Sequence, residues 1–279
     1  MKRAVLFGVC LAFMAGLRPA IAAPAVKTIS FEDLHIHVPD PATAGEWYVK
    51  HLGALPTTQP HRVSFGRFLI IFGKGGMTPS TSIDHLGLSF PDLDATVKDV
   101  SANGAVVTTP VRDAPGLFKL AFIEDPFGVK IELVQDPEHL GIHHVHLRVP
   151  DPEATLQWYQ DVFGGERKKM KGRLDGLLYD TIPPGYAGVS NNGAAGKVWL
   201  LATKGDKMAQ TDDTVIWDLA FQVEDIKQAV DGFTSKGAPV TRAPYVAKIE
   251  GHDTGVVFTR DPNGILIELL VRPKVKTTY

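Results

Sequence analysis

The feature that most constrains this chain is its agreement with itself. Val38-Pro39-Asp40-Pro41, Trp47-Tyr48 and Gly53 return as Val149-Pro150-Asp151-Pro152, Trp158-Tyr159 and Gly164 at one constant spacing (149 − 38 = 158 − 47 = 164 − 53 = 111). A second kind of unit opens at Ile83-Asp84-His85-Leu86-Gly87-Leu88 and closes in Asp125-Pro126-Phe127-Gly128-Val129-Lys130-Ile131-Glu132-Leu133. Its counterpart opens at Trp217-Asp218-Leu219-Ala220-Phe221 and closes in Asp261-Pro262-Asn263-Gly264-Ile265-Leu266-Ile267-Glu268-Leu269. The order is A-B-A′-B′, and repetition at this level decides architecture ahead of local propensity.

Each unit reads as strand, helix and three further strands. The run His144-Val-His-Leu-Arg-Val is a short strand that stops at Pro150. Asp151 is then the N-cap and Pro152 the first helical residue, where a missing N–H costs nothing. Leu156, Tyr159 and Phe163 recur at helical spacing, and Gly164 or Gly165 can end the helix in the left-handed conformation. Because side chains alternate along a strand, His144 and His146 leave on one face. Each closing Asp-Pro-x-Gly is a tight turn between two strands.

Residues 1–23 read as a secretory signal peptide: Lys2-Arg3, an apolar stretch from Ala4 to Leu17, and the small-x-small site Ala20-Ile21-Ala22. A permanent anchor needs about twenty apolar residues, so no membrane anchor is expected after cleavage. The expected location is periplasmic or secreted. Cys10, the sole cysteine, lies inside that segment, so the mature chain uses neither disulfides nor thiol ligands. A formal net charge of −2 without a long basic block excludes nucleic acid as a partner. The Arg167–Lys171 run follows a helix end, where a solvated cationic face is favoured.

The expected domains are residues 24–136, with modules 31–73 and 83–135, and residues 142–272, with modules 142–202 and 215–271. Residues 273–279 form a polar tail, and the Pro-, Gly- and Asn-rich stretch Ile182–Gly196 is a candidate lid or binding loop.

The four openings, the Asp-capped helix with Trp-Tyr and Phe-Gly-Gly, and the two Asp-Pro-x-Gly-x-x-x-Glu endings resemble the vicinal oxygen chelate superfamily. That superfamily includes glyoxalases, extradiol ring-cleaving dioxygenases and drug-binding proteins. The likeness covers essentially all of residues 31–271. It implies an α+β fold of four βαβββ modules, paired into two cupped mixed sheets with the helices outside. It also implies a divalent metal in a cup, held by opening-strand residues and closing-strand glutamates.

Seven residues before each capping aspartate stand Asp33, His85, His144 and Asp218, the positions to which that likeness assigns metal ligands. Glu132 and Glu268 are the closing glutamates, and these two are also the candidate catalytic groups. Pairing modules within each half gives the sets Asp33, His85, Glu132 and His144, Asp218, Glu268. His35 and His146 share a face with Asp33 and His144, so either could be the true ligand, and His35, His85, Glu132 is an alternative trio. A lone strand histidine is more often a hydrogen-bonded wall residue, but recurrence of His and acids in four modules raises the case for metal.

The expected cofactor is therefore a divalent ion (Fe, Mn, Ni or Zn) and the expected partner a small substrate with vicinal oxygens; a homodimer is left open. Carboxylate-rich sets suit hard ions and proton transfer, which points to a glyoxalase-like lyase or isomerase. The alternatives are an extradiol dioxygenase and a non-catalytic small-molecule binder. Ring-cleaving relatives carry a tyrosine where Phe258 stands, and an imidazole where Asp218 stands, which counts against the dioxygenase.

Overall fold

The structure is a computed structural model that describes residues 23–76, 78–79, 82–187, 193–206, 211–249 and 251–275. Residues 1–22 of the expected signal peptide, 188–192 of the Pro/Gly/Asn-rich loop and 276–279 of the expected tail lie outside that description. No described helix is long and apolar enough to cross a membrane.

Module A is β1 (Thr28–His37), α1 (Pro41–Leu52), β2 (Leu55–Pro56), β3 (Arg62–Phe65) and β4 (Phe68–Gly73). Module B is β5 (Ile83–Ser89), α2 (Leu93–Ala102), β6 (Val106–Asp113), β7 (Lys119–Glu124) and β8 (Lys130–Gln135). Module A′ is β9 (Gly141–Val149), α3 (Pro152–Phe163), β10 (Glu166–Met170), β11 (Leu174–Asp180) and β12 (Lys197–Lys204). Module B′ is β13 (Ile216–Val223), α4 (Ile226–Ser235), β14 (Arg242–Ile249), β15 (His252–Arg260) and β16 (Leu266–Val271).

Four aspartates start the four helices. The carboxylates of Asp40, Asp92, Asp151 and Asp225 each accept a bond from the backbone N–H three residues on. Such a cap contributes about 1 kcal/mol. Gly53 ends α1 in the left-handed conformation, at φ 69° and ψ 22°. Gly164 after α3 departs from that expectation: its φ is 75° but its ψ of −137° lies outside the left-handed helical region.

The strands form two mixed sheets of eight, ordered β14-β15-β16-β13-β1-β4-β3-β2 and β10-β11-β12-β9-β5-β8-β7-β6. This is the expected fold class, but the modules pair differently. One sheet joins A with B′ and the other joins B with A′, through the antiparallel contacts β1–β13 and β5–β9. Residues 24–136 therefore do not close one cup, nor do 142–272. Repetition shows that opening strands pair, but β1 offers the same edge to β5 as to β13. The connections decide: 136–140 brings the chain from β8 to β9 within one sheet, whereas 74–82 and 205–215 cross between sheets. The two crossing segments run together, with Thr78 bridged to Thr214 and Val215 N–H donating to Thr78 O.

The chain-order halves do hold together on the helix side. Tyr48 of α1 donates to Asp125 of the β7–β8 turn at 2.8 Å, and Tyr159 of α3 donates to Asp261 of the β15–β16 turn at 3.4 Å. That contact accounts for the Trp-Tyr and Asp-Pro-x-Gly repeats occurring together. One core cluster takes Leu34 and Ile36, Leu86 and Leu88, Val145 and Leu147, and Leu219 and Phe221 from the four opening strands. Each such side chain contributes about 1.5–3 kcal/mol by burial. Period-two alternation turns the intervening residues to the opposite face, where the acids and histidines collect.

Candidate metal centre

That opposite face carries one polar cluster per sheet, here cup 1 (modules B and A′) and cup 2 (modules A and B′). Cup 1 gathers His85 of β5, Glu132 of β8, and His144 and His146 of β9. Cup 2 gathers Asp33 and His35 of β1, Asp218 of β13 and Glu268 of β16. The expected trios Asp33/His85/Glu132 and His144/Asp218/Glu268 are each split between the sheets, and so is His35/His85/Glu132. The eight candidates thus meet, but in sets determined by the cross-half pairing.

In cup 1 three atoms form a triangle. His85 Nε2 lies 3.1 Å from Glu132 Oε2 and 3.1 Å from His144 Nε2, and His144 Nε2 lies 3.1 Å from Glu132 Oε2. The other ring nitrogens identify what these atoms carry. His85 Nδ1 lies 2.6 Å from Asp84 Oδ2, an ionised acceptor held well below the usual carboxylate range by His85 and Lys130 against the opposing effect of burial. Nδ1 therefore bears the hydrogen, and neutral His85 presents a lone pair at Nε2. His143 Nε2 lies 3.3 Å from Asp136 Oδ2, so its hydrogen sits there and its Nδ1 accepts. His144 Nδ1, 2.8 Å from His143 Nδ1, is then the donor, which leaves its Nε2 with a lone pair too. With both rings neutral and so assigned by their partners, two imidazole lone pairs and a carboxylate oxygen face one another; a second proton on His85 would instead bond its Nε2 to Glu132.

Burial lowers His144 to about 4 and His146 to about 3, which keeps both rings neutral at physiological pH. His85 is pulled down by burial, yet its bonds to Asp84 and Glu132 hold it above its ordinary value. Glu132 would be raised by burial, but His144 and His85 bring it well below. A face of an octahedron with bonds of about 2.1 Å has edges of roughly 3.0 Å, so the triangle has the size of a metal-binding face. Two imidazoles and one carboxylate leave positions open for a substrate.

His146 stands beside the triangle. Its ring centre is 4.7 Å from that of His85, its Nε2 meets Thr203 Oγ1 at 2.9 Å, and its Nδ1 is buried without a partner. Met170, Leu178, Trp199 and Leu201 form an apolar wall in register with these histidines on β12 and its neighbours. Gly87 faces His144 across the β5–β9 ladder, and a Cβ there would meet His144 Cε1 at 2.1 Å. Gly87 is thus the space that the His144 ring occupies.

Cup 2 uses the same positions with other chemistry. His35 points inward: its Nδ1 lies 2.9 Å from Asp218 Oδ1 and 3.6 Å from both Asp33 Oδ1 and Glu268 Oε2. Burial would lower His35, but Asp218 outweighs it and the ring rises to about 10. Burial raises Asp33 well above the usual range and Glu268 to about 7. Where Gly87 makes room for an imidazole, Ala220 faces the shorter Asp33.

Three residues of cup 1 escaped the sequence reading. Asp84 alternates away from His85 in an ideal strand, but the ladder shifts register between Ile83 and His85. His143 is fully buried and backs His144. The signal was present, since Ile142-His143-His144-Val145 places an imidazole on both faces of a strand. Nothing local in the sequence marks Asp136 as the partner of His143. Phe258 lies in cup 2, and Phe122 is its register counterpart in cup 1, opposite Glu132.

The family model for the glyoxalase/bleomycin resistance protein/dioxygenase superfamily matches residues 30–133 and 141–269, and the chain belongs to that superfamily. A probable lactoylglutathione lyase of Arabidopsis thaliana chloroplasts is 27% identical over 188 residues, 64% of this chain. The alignment spans 50% of that relative's length. A probable lactoylglutathione lyase of Vibrio parahaemolyticus is 28% identical over 46% of this chain and 88% of its own. Among solved structures, maize glyoxalase I superposes with a TM-score of 0.64 at 17% identity, covering 88% of this chain and 92% of that one. A Bacillus subtilis structure given the provisional name of a dioxygenase superposes at 0.58 and 16% identity, covering 90% and 87%. At these identities the structural likeness establishes the fold.

Proposed function

We propose that the protein is a divalent-metal-dependent enzyme whose working centre is cup 1, and that it acts on a small substrate with two adjacent oxygens. The observation that carries this reading is the 3.1 Å triangle of lone-pair atoms on His85, His144 and Glu132. Two imidazole nitrogens and a carboxylate oxygen at that spacing fit the face of one divalent cation. Bound there, an ion supplies Lewis-acid polarisation of a substrate oxygen.

The chain's own groups do the rest. Asp84 and the His143–Asp136 pair hold the two imidazoles in the ligating tautomer, as outer partners of metal-binding histidines do. His146, neutral and with an unpaired Nδ1, is placed to take or return a proton beside the substrate. The Met170–Trp199 wall excludes water. These features suit a lyase or isomerase that moves a proton next to a carbonyl, in keeping with the names of the relatives. Phe122 offers no phenol. A second reading, an oxygen-dependent ring-cleaving enzyme, draws on one observation: two imidazoles with one carboxylate is the ligand set of non-haem iron oxygenases.

The test loads the protein separately with Fe(II), Mn(II), Ni(II) and Zn(II) and assays 2-oxoaldehydes and catechols. Turnover of a 2-oxoaldehyde without oxygen uptake supports the first reading. Fe(II)-dependent oxygen uptake with a catechol replaces it by the second. Tight binding without turnover under every metal would place the chain among the sequestering members instead. We propose export as well, on the Lys2-Arg3, apolar and Ala20-Ile21-Ala22 pattern. Ala25 and Val26 are already bonded to the end of α3, so cleavage near Ala23 leaves the fold intact. An intact Met1 on protein from its native compartment would refute it.

A further inference from the structure

The wall of cup 1 carries one polar atom that the fold leaves unmet. Met170 of β10, Leu178 of β11, and Trp199 and Leu201 of β12 form a hydrophobic cluster apart from the main core, joined by the partly buried Phe118 and Leu174. Alternation along β12 sends Val198, Leu200 and Ala202 to the core and turns Trp199 and Leu201 to the cup face. The ladder sets them beside the triangle, with Trp199 the register partner of His144 and Leu201 that of His146. On the other flank Phe122 is the partner of Glu132, and its ring centre lies 5.1 Å from that of His85. Trp199 is 5% exposed, and its Nε1–H is buried with no hydrogen-bond partner. An indole nitrogen only donates, so nothing but an acceptor satisfies it, and leaving it unmet is costly.

The matching arm of cup 2 shows that the frame does not demand this wall. There the β4 partners of Asp33 and His35 are Leu69 and Ile71, which in turn face Ser64 and Arg62 of β3. Cup 1 has Trp199 for Leu69, Leu178 for Ser64 and Gly176 for Arg62. A Cβ on Gly176 would meet Leu201 Cδ2 at 2.6 Å and Trp199 Cε3 at 3.2 Å, so the glycine is the space these side chains fill. Of the two cups, the one with the triangle is the one with the indole and its apolar surround.

We propose that Trp199 donates its indole N–H to an oxygen of the substrate, and that the wall around it selects a substrate whose two adjacent oxygens are joined to an apolar body. The inference rests on the reading of cup 1 as the working centre. A donor fixed in a dry wall contributes most when charge gathers on that oxygen during the reaction, because nothing has to reorient at that moment. A charged body would lose its water against Met170, Leu178 and Leu201 and gain no partner there.

The test uses the full chain loaded with Zn(II), which is diamagnetic, and two probes that share a pair of adjacent oxygens, acetohydroxamate and benzohydroxamate. Calorimetry gives each Kd, and the assigned proton–nitrogen resonance of the Trp199 indole reports the donor. Benzohydroxamate should bind at least about tenfold tighter than acetohydroxamate. The indole proton should move downfield with acetohydroxamate, which has no ring current of its own. Trp199→Phe should weaken both probes alike, by roughly tenfold. Leu178→Ser, the change towards cup 2, should remove most of the preference for the aryl probe. The preference and the resonance are read on the parent chain, so the outcome does not hang on how a variant folds. The proposal is overturned if both probes bind while the indole resonance stays in place, or if they bind equally well; the metal reading of cup 1 then stands. Binding of neither probe to the Zn(II)-loaded chain overturns that reading and this inference with it.

Discussion

The two cups share a backbone and differ in charge, and that difference is traceable to single positions. His144 and Asp33 are equivalent, as are His85 and Asp218, and His146 and His35. In cup 1 the Nδ1 atoms of His85 and His144 are bonded to Asp84 and His143 behind them, and His146 meets Thr203 through Nε2. In cup 2 the equivalents of the two ligating histidines are carboxylates, and the remaining imidazole turns in among them. Behind the opening strands, the buried His143–Asp136 pair of cup 1 is replaced by the Glu32–Arg272 pair of cup 2. The repeated frame is thus the same while two imidazoles in one cup are two carboxylates in the other. Steric demand followed: a ring needs Gly87, whereas a carboxylate tolerates Ala220.

The sharpest way to break this comparison is to remove one ligand at a time. His144→Ala or Glu132→Ala should weaken metal binding in cup 1 by more than about 100-fold, since one of three ligands is lost. Asp218→Asn should leave cup 1 unchanged. Elemental analysis of each variant decides it. If Glu268→Ala empties the site that Glu132→Ala empties, the cups are not independent.

Gly87→Ala probes the steric half of the argument. The new methyl group would fall 2.1 Å from His144 Cε1, so the ring must leave its place. Metal binding in cup 1 should be lost, with about 1–3 kcal/mol of stability from overpacking. Ala220→Gly, the mirror change, should cost only about 0.5–1 kcal/mol of strand stability and leave metal content alone. Equal effects from the two substitutions would show that the glycine has nothing to do with the imidazole.

His143→Phe tests the outer partner. It fills the same buried volume but removes the acceptor that keeps the hydrogen on His144 Nδ1. Affinity in cup 1 should fall roughly 10–100-fold, with about 1–3 kcal/mol of stability lost because Asp136 Oδ2 is left buried without its partner. A calorimetric titration with Zn(II) measures it, and an unchanged affinity would make His143 a packing residue.

How much of this was legible without coordinates depends on the range of the signal. The fold was written four times in local motifs, each a cap, a helix stop or a turn, and repetition confirmed each copy. The eight candidate residues were legible for the same reason: Asp33, His85, His144 and Asp218 stand seven before the capping aspartates, Glu132 and Glu268 close the Asp-Pro-x-Gly motif, and His35 and His146 follow by strand alternation. Their grouping was not. Which opening strand takes β1 as its partner depends on connections between sheets, and β5 and β13 have the same pattern. Asp84 and His143 were hidden by a register shift and by burial on the wrong face of an ideal strand, both of them tertiary effects. The chemistry moved with the grouping. Sets of one imidazole and two carboxylates became one set rich in imidazole and another rich in acid.

The smallest expected effect lies in the turns beneath the cups. Asp125 in the β7–β8 turn and Asp261 in the β15–β16 turn both open the Asp-Pro-x-Gly repeat and both accept from a tyrosine. Burial raises Asp125 to about 6, against a backbone and tyrosine bond set that pulls the other way. Asp261 is also raised by burial, with an added donor in Asn263. A carboxyl whose folded value exceeds its unfolded value of 3.8 binds its proton more tightly in the folded state. Stability from this group is therefore full below about 3.8, falls as pH rises, and is lost above about 6. The share lost between pH 5 and pH 7 is roughly 1 kcal/mol. Asp125→Asn keeps an oxygen for the Phe127 and Val129 N–H groups and cannot ionise. Urea unfolding of the variant should show that much less decline over the same range than the parent chain. A parallel pH profile for variant and parent would mean that the Asp125 carboxyl titrates alike in the folded and unfolded chain, and that its bond to Tyr48 at 2.8 Å is compensated in both charge states.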